Sequence, residues 1–250
     1  MRAVLLAVFL LFSHVVIAEP AVRFAIGDWP PYVSEFDPQA RLLERLIYEA
    51  YASQQLSVTF DYFPWKRSYE YVRQGEYDGT FPWNSTQQRR DDFLIHSVPL
   101  VQDNGVFFHL KSTPFDWQTL TDIGKYRVGV VVGFKQQEAY RRLGIEAELI
   151  ETEEAAFKML MAGRIDVYQT SRLVGLTTAR RLFTADQLQR LTFHPEPVEV
   201  NTYFVLFTKQ SSRSADLAEA LDAGLRYLQF TGRYESLMSI KGPDVSPIMP

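Results

Sequence analysis

A chain of 250 residues carries 26 basic and 30 acidic side chains, a formal charge of −4, and no cysteine. That balance leaves no electrostatic footprint for nucleic acid or an anionic membrane surface. Without cysteine there are no disulfide staples, no metal–thiolate or thiol chemistry and no cysteine-borne lipid anchor.

The first residues, MRAVLLAVFLLFSHVVIAEP, run from a positive start through an apolar stretch to Val16-Ile17-Ala18, a small-residue cleavage pattern. Residues 1–18 are therefore predicted to be a secretory signal peptide, too short and too interrupted by Ser13 and His14 to be a membrane span. The expected product is exported and periplasmic, with 25 basic and 30 acidic residues and a charge of −5. Its length of roughly 230 residues suits two lobes of roughly 100 each.

VRFAIGDWPPY (22–32) reads as a first strand breaking into a proline-rich loop, ARLLERLIYEAYAS (40–53) as a periodic helix and LSVTFDYF (56–63) as a second strand. A weak repeat follows. SYEYVRQGEYDGTFP (68–82) and AAFKMLMAGRIDVYQT (155–170) each pass from an amphipathic helix through Gly-x-x-Asp to a β-prone run, with Gly75 and Gly163 suited to a left-handed residue at the helix end. Between the copies, YRVGVVVGF (126–134) and KQQEAYRRLG make strand, glycine turn and helix. TYFVLFTK is a late strand, and ADLAEALDAGLRYLQFTGRYESLMSI gives two helices parted near Thr231-Gly232. Two helix-to-strand units far apart, without a long continuous βαβα series, predict an α/β protein of two similar lobes. Ligands of open α/β sheets sit beyond the carboxyl ends of the strands, which singles out residues 81–89 and 168–172.

TFPWNSTQQRR (80–90) falls at that point. Ser85 or Thr86 is placed to cap a short helix, exposing backbone N–H groups at the positive end of its dipole. An arginine one turn on can grip a carboxylate with its planar fork. The competing reading is an ordinary capped helix with solvated arginines. Three of the four tryptophans sit against prolines, at Trp29-Pro30, Pro64-Trp65 and Pro82-Trp83, which argues for loops and strand ends. Each is either a cleft wall or a core residue, and Trp117 has no motif around it.

In order and spacing, GDWPPY, FPWKRSYEYVRQGEYDG, STQQRRDDFLIHSVP, RVGVVVGF, AGRIDVY and GRYESL resemble the periplasmic solute-binding proteins for polar amino acids, the extracellular family 3 that serves ABC importers. The resemblance covers essentially the whole chain beyond the signal. It implies a type II two-lobe α/β fold, with two strand-like hinges near 101–107 and 195–202 and a solute held between the lobes. The first lobe is expected to comprise residues 19–101 plus 203–250, and the second residues 102–202 including the hinges. It also implies a monomer without a cofactor that takes a small-molecule solute and docks on an inner-membrane ABC permease or a membrane receptor.

Carried over by position, Thr86-Gln87-Gln88-Arg89 matches the family's Thr-x-x-Arg, so Arg89 rather than Arg90 is expected to hold the solute carboxylate, helped by backbone N–H groups from Asn84 to Thr86. Trp29 falls where the family often stacks an aromatic on the solute, and Trp65 and Trp83 fall on other cleft loops. Gln136 is a candidate contact from the second lobe. Lys135 is either a second positive group or a solvated lysine. The departure from the family is Ser171, or Thr170 if the alignment slips by one, where amino-acid binders place an Asp that pairs with the ammonium. Asp28 either supplies that charge from the other side or caps its own turn.

The alternative is an enzyme on the same scaffold, similar to periplasmic cyclohexadienyl dehydratases, which would need a proton donor and acceptor facing the cleft. His96, His109 and His194 are scattered, and no nucleophile or metal motif is present. Glu138 and Glu153 are the candidate acids, at positions where solvated surface is the ordinary outcome. Binding without catalysis is therefore the expected function. A third class, a binding protein that reports occupancy to a membrane receptor, shares every one of these motifs.

Overall fold

The structure, a computed structural model, describes residues 21–238, so the signal peptide read at 1–18 lies outside the described residues. In chain order the first lobe begins with β1 (Val22–Ile26), α1 (Leu42–Ala52), β2 (Val58–Tyr62), α2 (Trp65–Arg73), β3 (Gly79–Asn84), α3 (Gln87–Asp92) and β4 (Phe93–Ile95). The long strand β5 (Val101–Leu110) leads to the second lobe, made of β6 (Val128–Val131), α4 (Lys135–Arg142), β7 (Ala147–Ile150), α5 (Glu153–Met161), β8 (Val167–Ser171), α6 (Arg172–Leu182), α7 (Ala185–Arg190) and β9 (Leu191–Phe193). A second long strand, β10 (Glu199–Thr208), returns to the first lobe, where α8 (Ser214–Phe230) and α9 (Arg233–Met238) follow.

The two lobes are built alike. One has the strand order β2-β1-β3-β10 with β4 on the far side of β10, and the other has β7-β6-β8-β5 with β9 on β5. Each lobe therefore borrows its long strand from the crossing segment. Between the lobes, Val101 to Gly105 pair antiparallel with Tyr203 to Glu199, and this shared ladder joins the two halves.

The sequence repeat now has a cause. Its two copies are α2–β3 and α5–β8, the third strand of each lobe with the helix before it. Gly75 and Gly163 end those helices at φ of 84° and 65°, a conformation costly for any residue with a Cβ. The aspartate three residues later ties down the start of the lobe's first strand. Asp78 Oδ2 accepts the Arg23 N–H at 2.8 Å, and Asp166 Oδ2 accepts the Arg127 N–H at 2.8 Å.

Burial follows the periodicity. In α1 the residues Leu42, Leu43, Leu46, Ile47, Ala50 and Tyr51 form one buried face. They meet α8 through Leu217, Leu221 and Leu225 over the first-lobe core of Phe24, Phe81 and Phe207. The second lobe buries Phe108, Phe157 and Tyr168 on one side of its sheet, and Phe107, Val128 and Tyr140 on the other. Trp117 packs edge-on against Phe107 at 5.5 Å, in that second-lobe core. α6 carried little periodic signal because Gly175 interrupts its apolar face; the missing Cβ leaves room for the Phe108 ring. Among the described residues no helix is long and apolar enough to cross a membrane.

Candidate functional site

The carboxyl ends of β1, β3, β6 and β8 and the shared ladder surround a cleft of about 1280 Å³ lined by both lobes. From the first lobe come Trp29, Trp65, Trp83, Asn84, Thr86 and Arg89; from the second come Gln136, Thr170 and Ser171. Asn201 and Tyr203, on β10, line it from the ladder. Of the residues expected to reach a ligand, Ser85 does not line this cavity, and neither does Asp28. It is exposed, and its Oδ1 accepts the Glu35 N–H at 3.0 Å, so it caps the Trp-Pro-Pro-Tyr turn.

Arg89 is placed by the helix its neighbours start. Thr86, and not Ser85, is the N-cap of α3: its Oγ1 accepts the Arg89 N–H at 3.3 Å. The guanidinium turns back over the end of β3, donating from Nη1 to the Asn84 carbonyl at 3.0 Å and lying 4.6 Å from the Trp83 ring centroid. No carboxylate pairs with it among the described residues. Arg89 is half-buried, and that burial lowers its pKa to about 10, as for a cation that has lost part of its water without a compensating anion. Arg90 points the other way, into solvent, and donates to the Ser85 carbonyl at 2.9 Å and to the Ser85 hydroxyl at 2.8 Å.

The aromatic wall is fixed before any ligand arrives. Pro64 is the N-cap of α2, so Trp65 begins that helix; a Cβ at Gly27 would overlap its indole, and glycine lets the ring lie on the end of β1. Trp65 and Tyr69 meet Trp83 edge-on at 5.3 and 5.5 Å, and Trp83 Nε1 donates to Thr80 Oγ1 at 3.0 Å. Trp29 packs on Tyr203 at 5.2 Å and on Tyr32 at 5.2 Å. All three tryptophans are half-buried, so each is both a cleft wall and a core contact.

Three acidic groups lie behind the cavity lining, and sequence reasoning missed two of them. Asp103, on β5, accepts the Tyr32 hydroxyl of the first lobe at 2.8 Å and the Ser171 hydroxyl of the second. Burial raises its pKa. Glu199, on β10, accepts Lys135 Nζ at 2.6 Å and Gln169 Nε2 at 3.0 Å, so Lys135 is ion-paired rather than simply solvated. Glu153, expected on the solvated surface, is instead buried beneath the cleft. Its Oε1 accepts the Tyr168 hydroxyl at 3.0 Å and the Thr170 hydroxyl, and burial pushes its carboxyl up to about 7. The Trp29 indole N–H lies beside it without reaching hydrogen-bond geometry. Ser171 caps α6 by accepting the Val174 N–H at 3.2 Å. The signal for Asp103 and Asn201 was the polar interruption of two apolar strands, VQDNGVFF and VEVNTYFV.

The histidines stand elsewhere. His96 lies under β10 with Nδ1 2.9 Å from Asp222 Oδ1, while its Nε2 accepts the Val205 N–H at 2.9 Å, which leaves the proton on Nδ1. His109 and His194 pack against Phe115 in the second lobe.

No protein-family model and no curated protein matches this sequence. Solved structures do match its shape. A histidine kinase sensor domain with similarity to periplasmic binding proteins superposes with a TM-score of 0.72 at 19% identity, covering 89% of this chain and 99% of that one. The fold is that of the two-lobe periplasmic binding proteins. An amino acid ABC transporter substrate-binding protein from Streptococcus pneumoniae, bound to L-arginine, matches with a TM-score of 0.68 at 17% identity over 87% of this chain and 93% of that one. An ancestral amino acid-binding protein, a precursor of cyclohexadienyl dehydratase, matches at 0.67 and 16% identity over 86% and 93%. Importer, sensor and dehydratase precursor are thus similar to this chain in fold.

Proposed function

We propose that this protein is a periplasmic solute-binding protein that closes two lobes on a small carboxylate-bearing solute and presents it to an ABC importer. The lobes are residues 19–101 together with 203–250, and residues 102–202. The short ladder of 101–105 against 199–203 is the hinge. The observation that carries this reading is Arg89, a half-buried guanidinium that lines the cavity between the lobes with no carboxylate partner among the described residues. A carboxylate there restores both the charge balance and the bidentate geometry that guanidinium favours.

Capture without turnover is favoured over chemistry by the placement of the proton carriers. No histidine lines the cleft among the described residues, and Glu153 sits behind Thr170 and Tyr168 rather than facing it. The other candidate acid, Glu138, is held well below the usual range, at about 2, by hydrogen bonds from Arg141 and Arg142. It remains ionised at neutral pH and cannot donate a proton.

A thermal-shift screen of the purified protein against amino acids, dicarboxylates, aryl acids, small peptides and polyamines tests the proposal. A ligand at a hundred times its Kd stabilises by about 2.7 kcal/mol, so a carboxylate hit is expected to stand clear of the baseline. Stabilisation by polyamines alone would contradict it.

A further inference from the structure

Resting on the reading of the cleft as a carboxylate site, we propose that it selects flat aryl acids lacking an α-ammonium group, and selects against the corresponding amino acids. The lining of the cleft offers a ligand a cation without a carboxylate partner but no buried anion. Asp103, Glu199 and Glu153 lie behind the lining, where Asp103 accepts from the Tyr32 and Ser171 hydroxyls, Glu199 from Lys135 and Gln169, and Glu153 from Tyr168 and Thr170. The hydroxyls of Thr170 and Ser171, which line the cavity, donate their hydrogens to Glu153 and Asp103 and offer a ligand only neutral oxygen lone pairs.

An ammonium entering beside Arg89 would lose its water and meet neutral oxygens, among them those of Gln136 and Tyr203 and the Asn201 Oδ1, which is buried with no hydrogen-bond partner. Such oxygens match a phenol, a hydroxyl or a ring N–H, and fall short of what a desolvated cation needs. The cavity's own acids that reach water are at its lip: Glu151 is exposed, and Glu138 is bound by Arg141 and Arg142. An ion pair formed there is worth little. Three tryptophans held by their own ring contacts, Trp29 on Tyr203 and Trp65 on Trp83, give the first-lobe wall an aromatic surface that suits a planar apolar body.

Calorimetric titration of the full mature protein with matched pairs tests this: 3-phenylpropionate against L-phenylalanine, indole-3-propionate against L-tryptophan, and glutarate against L-glutamate. The expected result is binding of an aryl acid at least about tenfold tighter than its amino acid, with the aliphatic pair weaker than both, because the unpaired ammonium carries its full desolvation cost. An amino acid that equals or beats its deaminated partner overturns the selectivity and leaves carboxylate capture standing. Preference for glutarate over the aryl acids overturns the aryl body. No binding by any of the six overturns this inference, and if the thermal-shift screen also finds no carboxylate, the reading beneath it falls too.

Discussion

Replacing Arg89 with alanine is expected to cost the carboxylate ligand roughly 2–5 kcal/mol, a loss of some thirtyfold to several thousandfold in affinity. The guanidinium lies half-buried over Trp83 and, among the described residues, donates only to the Asn84 carbonyl, so it holds most of its donors ready for an incoming anion. Truncation leaves the ligand's carboxylate desolvated and unpaired, which is the costly half of any buried ion pair. The side chain is not a keystone of the fold: it has no protein carboxylate to abandon, and the Thr86 cap uses the Arg89 backbone N–H, which alanine keeps. Arg90→Ala is the control, since Arg90 is exposed and spends its hydrogen bonds on its own helix start. Calorimetry with any carboxylate that binds the wild type reads the difference; equal losses in the two variants would remove Arg89 from the ligand's contacts.

Glu153 carries the second large effect, and it is an effect of pH on stability. Its carboxyl titrates near 7 when folded because burial penalises the ionised form, against an ordinary value of 4.5 when unfolded; the neighbouring Glu154 adds a smaller push in the same direction. The folded state therefore holds the proton more tightly than the unfolded one. This group favours folding most below about pH 4.5, and that advantage is lost as pH rises to about 7, a change on the order of 3 kcal/mol. Glu153→Gln removes the titration while keeping an acceptor oxygen for Tyr168 and Thr170. Thermal melts at pH 5 and pH 8 are expected to show the variant gaining on the wild type as pH rises. A stability difference that does not change between those two pH values would mean the carboxylate is not desolvated.

Local motifs were legible in the sequence because their physics is local. Gly-x-x-Asp specified a helix end and the aspartate that pins a strand start, in two places; the same logic put a cap at Ser85 or Thr86, of which Thr86 is the one used, and a guanidinium one turn later. The three cleft tryptophans were marked by their prolines. What could not be read was the floor of the site. Asp103 and Asn201 lie nearly a hundred residues apart and meet only because β5 and β10 pair antiparallel between the lobes, a register that no single segment encodes. Glu153 was misjudged because the first turn of a helix is an ordinary place for an exposed acid; here the Tyr168 and Thr170 hydroxyls and the Trp29 ring of the opposite lobe cover it. The missing negative charge sought at position 171 also has a structural reason. An aspartate there would face Asp103, since the Ser171 hydroxyl already donates to that carboxylate.

The central claim is that an anion, and not merely a polar group, completes Arg89. Calorimetric titration of the wild-type protein with the tightest-binding acid from the thermal-shift screen, and with the primary amide of the same acid, isolates that charge without altering the protein. The account predicts that the amide binds at least roughly thirtyfold more weakly than the acid. Equal affinities for acid and amide would contradict it.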